Sequence, residues 1–230
     1  MILKEVTIKK FRNIIDSTPV QIENDITCLV GKNESGKSSF LNALYRLNPV
    51  RKNADFKLED QYPAWLEKKD RMKGIDLKKE RPVNTTFELE DNEIELVNEL
   101  FGEGVLKDKT LTLNKSYDGT LDHWLNLDEG QYLKNLLHGL SFSMETRKEI
   151  TNFSNIEYLK DFLEDYETNE EASDKEKESI EKLRSRLKEE IGDSKTLLSA
   201  CYKTIQNFIP KFIYFNEYST LPYSVKIKEI

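Results

Sequence analysis

The sequence predicts an α/β protein of mixed and antiparallel strands carrying a helical insertion, and three observations predict it. A loop opened by Gly31 and closed by Gly36-Lys37-Ser38 sits between an apolar run and an amphipathic stretch. Two segments, Val83–Leu89 and Leu111–Tyr117, alternate apolar and polar residues with the period of a strand. Apolar residues from Ile180 to Phe208 recur at threes and fours, or their sum, as on a helix face.

In chain order, Val6 and Ile8 alternate with Thr7 and Lys9, and Val20 and Ile22 repeat the pattern. After an Asn24-Asp25 turn, Ile26–Val30 is nearly all apolar, which predicts a strand buried on both faces. Phe40, Leu41, Leu44 and Leu47 fall on one face of a helix that Asn48-Pro49 ends. Asp91 is placed to cap a short helix closing near Gly102, and Asp118-Gly119 predicts a hairpin turn after the second alternating segment. From about residue 130 glycine becomes scarce, and Asp165–Lys177 is dominated by acids. The stretch from Ile180 to Phe208 reads as one long helix, weakened at Gly192 and stopped by Pro210. It suits a helical hairpin, a coiled-coil arm or a bundle packed on the parent domain. Lys211–Phe215 and Val225–Lys228 predict closing strands. The organisation expected is residues 1–129, an insertion or arm over 130–192, and a return over 193–230.

The 230 residues carry a net charge of −7 with 33% charged side chains. This is not the footprint of a dedicated nucleic-acid binder, so DNA as a partner is unsupported by charge, though a local basic groove is not excluded. No apolar run reaches the length of a membrane span, and charges interrupt the N-terminus before any signal-like core. Cys28 and Cys201 each lie in an apolar stretch and are expected to be small buried hydrophobes in a reducing, cytoplasmic setting.

Residues 31–38, GKNESGKS, fit the phosphate-binding pattern G-x-x-x-x-G-K-[ST]. Gly31 and Gly36 let successive N–H groups turn inward, and Lys37 supplies a cation to the β- and γ-phosphates. The Ser38 hydroxyl is a Mg²⁺ ligand, and the helix behind the loop adds its positive end. The pattern occurs by chance in under about 1% of chains this long. ATP with Mg²⁺ is the expected ligand, because Asn114-Lys115-Ser116-Tyr117 lacks the aspartate of a guanine-reading Asn-Lys-x-Asp. His123 and His138 have no partner pattern and read as structural or surface residues.

The run Lys9-Lys10-Phe11-Arg12-Asn13, a second strand, then Val30–Ser39 resembles the SMC/RecF-like branch of ABC-type ATPases. The Asn33-Glu34-Ser35 variant, followed by Leu41-Asn42-Ala43-Leu44 and Leu47-Asn48-Pro49, is most similar to the ATPase of OLD-family (overcoming lysogenization defect) nucleases and related phage-defence ATPases. Pro210–Tyr218 with Leu221-Pro222 resembles a segment of the same group. The resemblance is close over residues 1–65 and 210–225 and loose between them.

It implies the first lobe of a P-loop, ABC-type ATPase. Arg12, Asn33, Glu34, Ser35 and Ser39 would join the loop in holding nucleotide, and Gln61 would join Ser38 at the metal. Glu34 stands where this branch more often has glycine. The Walker B Asp-Glu pair and the Ser-Gly-Gly signature are not in these residues. Phe212–Glu217 mimics a Walker B with Asn216 in place of the aspartate, and is expected to be an ordinary buried strand. A second lobe in cis or in trans and a homodimer are therefore expected partners. The alternatives are a self-contained P-loop kinase or phosphotransferase, which needs an acceptor site and base not evident here, and a non-catalytic nucleotide-sensing module.

Overall fold

A computed structural model describes residues 1–51, 54–153, 156–166 and 173–215. Strand β1 (Ile2–Phe11) pairs antiparallel with β2 (Ile14–Asp16), β3 (Val20–Gln21) and β4 (Val83–Glu88). Beyond β4 follow β5 (Leu106–Lys115) and β6 (Leu121–Leu127), so the order is β2-β1-β4-β5-β6 with β3 also on β1. Register aligns Val6 with Thr85, and Thr85 with Leu113. Alternation sends Val6, Ile8, Val83, Phe87, Leu111 and Leu113 to one face, where all are buried. Each such side chain stabilises the fold by about 1.5–3 kcal/mol.

Helix α1 (Lys37–Tyr45) covers β1, inserting Phe40 and Ala43, while Leu47 just beyond it is also buried. Leu41, expected on that face, is exposed, because it lies on the far side of the helix from Phe40 and Ala43. Short α2 (Leu58–Gln61) and α3 (Ala64–Met72) lead through a 3-10 turn, Leu77–Lys79, to β4. Helix α4 (Asp91–Phe101) begins one residue earlier than expected. Glu90, not Asp91, is its cap, and Glu90 and Glu93 form a reciprocal capping box. Gly102 ends it at φ 88°.

The remaining helices are α5 (Glu129–Leu136), α6 (Met144–Thr151), α7 (Ile156–Tyr166), α8 (Asp174–Ile191) and α9 (Leu197–Ile205). Ile180, Leu183, Leu187 and Ile191 form the buried stripe of α8, with Glu181 and Lys188 exposed. Arg184 is not free in solvent: it is half-buried and donates to the Leu163 carbonyl. The single long helix expected here is two. Gly192 ends α8 at φ 53°, and Thr196 restarts the chain by accepting the Ser199 N–H. Arg186 donates to the Leu136 and His138 carbonyls at 2.9 and 2.8 Å. The Tyr132 hydroxyl donates to Glu190 at 2.9 Å. Helix α9 packs on α4 and β6, and the helices' buried residues belong to the same apolar cluster as the sheet's.

Several expectations fail in two segments. Ile26–Val30 is not a strand, and Ile26 and Val30 are 77% and 90% exposed. Cys28 is exposed with them, whereas Cys201 is buried. Lys211–Phe215 is not a buried strand either. Phe212 makes only an isolated parallel bridge to Pro49, and Ile213 and Phe215 are 63% and 67% exposed. The physical reason is common to both: an extended segment becomes a strand only when a neighbour takes its N–H and C=O groups along its length, and among the described residues no strand pairs with Ile26–Val30, while Lys211–Phe215 is paired at Phe212 alone, which donates to the Asn48 carbonyl at 2.8 Å and accepts the Val50 N–H at 3.1 Å. Asn216, Glu217 and Val225–Lys228 lie outside the described residues.

Among the described residues, no helix is long and apolar enough to cross a membrane.

Candidate functional site

Gly36 is the hinge on which the loop becomes a helix. It caps α1 at φ 97°, and an added Cβ would stand 3.0 Å from Ile14 Cγ1. Only glycine takes both the left-handed backbone and the close approach of the β1–β2 turn. No side chain caps α1, and its first turn carries no acid. Its leading N–H groups thus remain available to an anion, favoured further by the helix dipole.

Lys37 curls back over the loop and donates to the carbonyls of Gly31 at 2.8 Å and Lys32 at 2.7 Å, and more weakly to Ser35 Oγ at 3.4 Å. These oxygens occupy the ammonium as phosphate oxygens would. Ser38, one residue on, is exposed. Asn33 and Glu34 form the exposed crown, and Glu34 adopts φ 64°. A non-glycine residue pays about 1–2 kcal/mol there, which gives a physical reason for glycine at this position in related loops.

The loop is pinned by a residue whose role is not evident from the sequence. Asn13, at the β1–β2 turn, donates to the Glu34 carbonyl at 2.9 Å and accepts from the Ser39 hydroxyl at 2.7 Å. One amide thus ties the crown of the loop to the first turn of α1. Ser39 is therefore a support for the loop, facing Asn13. A cavity of about 530 Å³ opens beside it, lined by Asn13, Ile14, Ile15, Leu29, Val30, Ser35, Gly36 and Lys37 among others. One wall is apolar and the other is the phosphate loop.

Arg12 and Gln61 do not line this cavity. The Arg12 guanidinium lies 5.5 Å from the Phe11 ring centroid, and Arg46 lies 5.9 Å from the same ring. Burial lowers the Arg46 pKa, and the nearby Arg12 charge lowers it further. Gln61 is buried, with its side-chain oxygen taken by the Lys57 N–H at 3.0 Å. Its carbonyl accepts the Arg12 N–H at 2.5 Å and the Tyr117 hydroxyl at 3.2 Å. The two residues are thus joined through the backbone.

A second residue with no motif to mark it braces the other end of α1. Lys115 follows Leu111 and Leu113 at the same alternation, so it points inward and is 9% exposed. It donates to the Arg46 carbonyl at 2.8 Å and the Leu47 carbonyl at 3.3 Å, groups that close the helix. Burial lowers its pKa, opposed by Asp55. The repeat Leu111-x-Leu113-x-Lys115 is the available signal for an inward lysine. His123 stacks on Tyr202 with ring centroids 3.8 Å apart, and burial lowers its pKa. His138 is exposed. Neither lines the cavity at the loop.

No curated protein matches this sequence. Nine chains of solved structures do. One is described by the words "structural biochemistry of ATP-driven dimerization and DNA stimulated activation of SMC ATPases". It is 19% identical, with 69% of this chain and 96% of that chain covered and a TM-score of 0.32. The family model described as AAA ATPase domain matches residues 1–220, which include the loop, the antiparallel sheet and the helices described above. The chain therefore belongs to the AAA ATPase domain family, with the mixed α/β, P-loop fold that its sequence predicts.

Proposed function

We propose that the chain is the MgATP-binding first lobe of an SMC/RecF/OLD-like ATPase, and that a second lobe, in cis or in trans, completes its site. Gly31–Ser39 hold the phosphates, Ser38 is the metal ligand, and Lys37 leaves its own loop carbonyls for phosphate oxygens. Gln61 can join the metal only after releasing the Lys57 N–H. Arg12 reaches the nucleotide only by leaving the Phe11 ring. Residues 1–129 and 193–230 form the lobe in this reading, and 130–192 are an insertion packed against it. Nucleotide binding and hydrolysis then drive a domain or dimer rearrangement, in the DNA-processing or phage-defence setting that the OLD resemblance implies.

The observation that carries the incompleteness is a set of exposed apolar side chains on two segments outside the sheet, Ile26 and Val30 leading directly into the phosphate loop and Ile213 and Phe215 near the end of the described residues, each more than half exposed. Uncovered, such segments invite pairing with another chain. A parallel or antiparallel strand from a second lobe would cover them and bring the missing catalytic carboxylates beside the loop.

Phosphoryl transfer needs loop, metal, water-orienting residue and an opposing donor together, and each absent group costs about 10²-fold or more. The 230-residue chain should therefore bind an ATP analogue in the presence of Mg²⁺ while releasing phosphate far more slowly than about 1 s⁻¹. Ordinary turnover by the isolated chain, abolished by Glu217→Gln, would overturn the first-lobe reading and favour a self-contained enzyme.

A further inference from the structure

Two non-glycine residues close to the phosphate loop hold a backbone conformation that side chains disfavour. Lys10 and Arg12, on either side of Phe11 at the end of β1, adopt φ 48° and 53°. The left-handed region crowds Cβ against the following carbonyl, so such a pair persists only where the surroundings over-determine it. Asn13, which clamps the loop through Glu34 and Ser39, follows directly. The path of the chain through Lys10 and Arg12 therefore decides where that amide points.

Contacts from elsewhere in the chain hold this path. Phe11 is fully buried, with its ring edge-on to Phe56 at 5.8 Å. The Arg12 N–H is taken by the Gln61 carbonyl, and the Lys10 ammonium donates to Asp70 at 2.9 Å and Glu80 at 3.0 Å. The Tyr117 hydroxyl donates to the Lys10 carbonyl itself, at 2.6 Å.

Tyr117 is unusually well placed to fix that carbonyl. It continues the inward series Leu111, Leu113, Lys115 and is 6% exposed. Its ring packs against Phe56 and Tyr62 at centroid distances of 5.6 and 5.7 Å, and its N–H donates to the Glu80 carbonyl at 3.1 Å. Ring and backbone are thus anchored, and the hydroxyl reaches 107 residues back along the chain to the turn. Burial pushes its pKa up, so the phenol stays protonated and remains a donor. Tyr117 does not line the cavity at the loop.

We propose that Tyr117 is a positioning residue for the phosphate loop: by holding the Lys10 carbonyl it keeps the left-handed turn in the form that aims Asn13 at Glu34 and Ser39. Without the hydroxyl the turn relaxes toward ordinary backbone, and the clamp is made in a smaller fraction of molecules. The apparent dissociation constant for nucleotide then rises as that fraction falls. The effect on binding rests on the nucleotide-binding function proposed above; the effect on loop order does not.

The test compares Tyr117→Phe with Tyr132→Phe in the full 230-residue chain. Tyr132→Phe also deletes a buried hydroxyl, but one bonded to Glu190 at 2.9 Å on helix α8. Cooperative urea unfolding shows each variant to be folded. Hydrogen exchange reads the loop without nucleotide: segments 10–16 and 31–42 should exchange at least about fivefold faster in Tyr117→Phe and at the wild-type rate in Tyr132→Phe. In titrations with a fluorescent ATP analogue and Mg²⁺, Tyr117→Phe should bind about three- to tenfold more weakly, as for one lost buried hydrogen bond. In an Asn13→Ala background the same substitution should add less than about twofold, because both act through one clamp. Unchanged exchange in the two segments, equal weakening with and without Asn13, or an equal effect of Tyr132→Phe would each overturn the proposal. A wild type that binds the analogue no better than Lys37→Ala would overturn the nucleotide reading instead, and the exchange rates would still decide whether Tyr117 positions the loop.

Discussion

Replacing Asn13 by alanine removes both hydrogen bonds that tie the loop crown to α1. The two losses differ in kind. Ser39 is nearly buried, so its hydroxyl is left without an acceptor at a cost of about 1–3 kcal/mol. Glu34 is exposed, so water replaces the amide at its carbonyl and the cost there is about 0.5–1 kcal/mol. The expected destabilisation is about 2 kcal/mol, measured as a lower urea midpoint with unchanged slope. The untied crown must also be ordered when phosphate arrives. If about 1.4 kcal/mol of the missing restraint falls on that step, ATP-analogue affinity drops about tenfold. Ser39→Ala supplies the control, since it breaks one of the same bonds. The double variant should be less destabilised than the sum of the singles by at least about 0.5 kcal/mol. Additive effects, with nucleotide affinity unchanged in Asn13→Ala, would refute the clamp.

Lys37→Ala should abolish most ATP-analogue binding with little loss of stability, since the ammonium now bonds only its own exposed loop; unchanged affinity by titration would remove the site assignment. Glu34→Gly relieves a left-handed backbone worth about 1–2 kcal/mol, less about 0.4–1 kcal/mol for the freer unfolded chain, so melting should rise slightly. It also removes a carboxylate from the loop crown, and affinity for ATP should tighten several-fold; weaker binding would show that Glu34 contacts the ligand productively. Asp118 is held down to about 2 by the Ser116 hydroxyl and then by the Thr120 N–H. Its stabilisation is present above the ordinary 3.8 and lost as pH falls through about 2. Urea titrations should show the stability gap between wild type and Asp118→Ala shrinking across that window; a constant gap would rule out the linkage.

The phosphate loop and the alternating strands are legible in the sequence because their information is local. GKNESGKS carries its own geometry, and Val83–Glu88 and Leu111–Lys115 declare their inward face by period. The Asn13 clamp spans 21 and 26 residues, and nothing in the sequence around Asn13 names Glu34 or Ser39 as partners. The break after α8 is hidden because Ile191 and Leu198 keep the helical repeat across Gly192 while the backbone does not. Ile26–Val30 shows the limit most clearly. Its apolar run states a demand for burial, but the identity of a neighbour that would meet the demand is not a property of those residues.

Lys115 gives the P-loop helix a property beyond stability. The front of α1 is bolted to the β1–β2 turn through Asn13 and Ser39, and its rear is bolted to β5 through the closing carbonyls. Because β1, β4 and β5 are consecutive in the sheet, loop, helix and sheet are tied into one hydrogen-bonded frame. A tilt of α1 would break hydrogen bonds at both of its ends. The segment leading into the loop, Ile26–Val30, lies outside the sheet and is the part of this frame without strand pairing among the described residues.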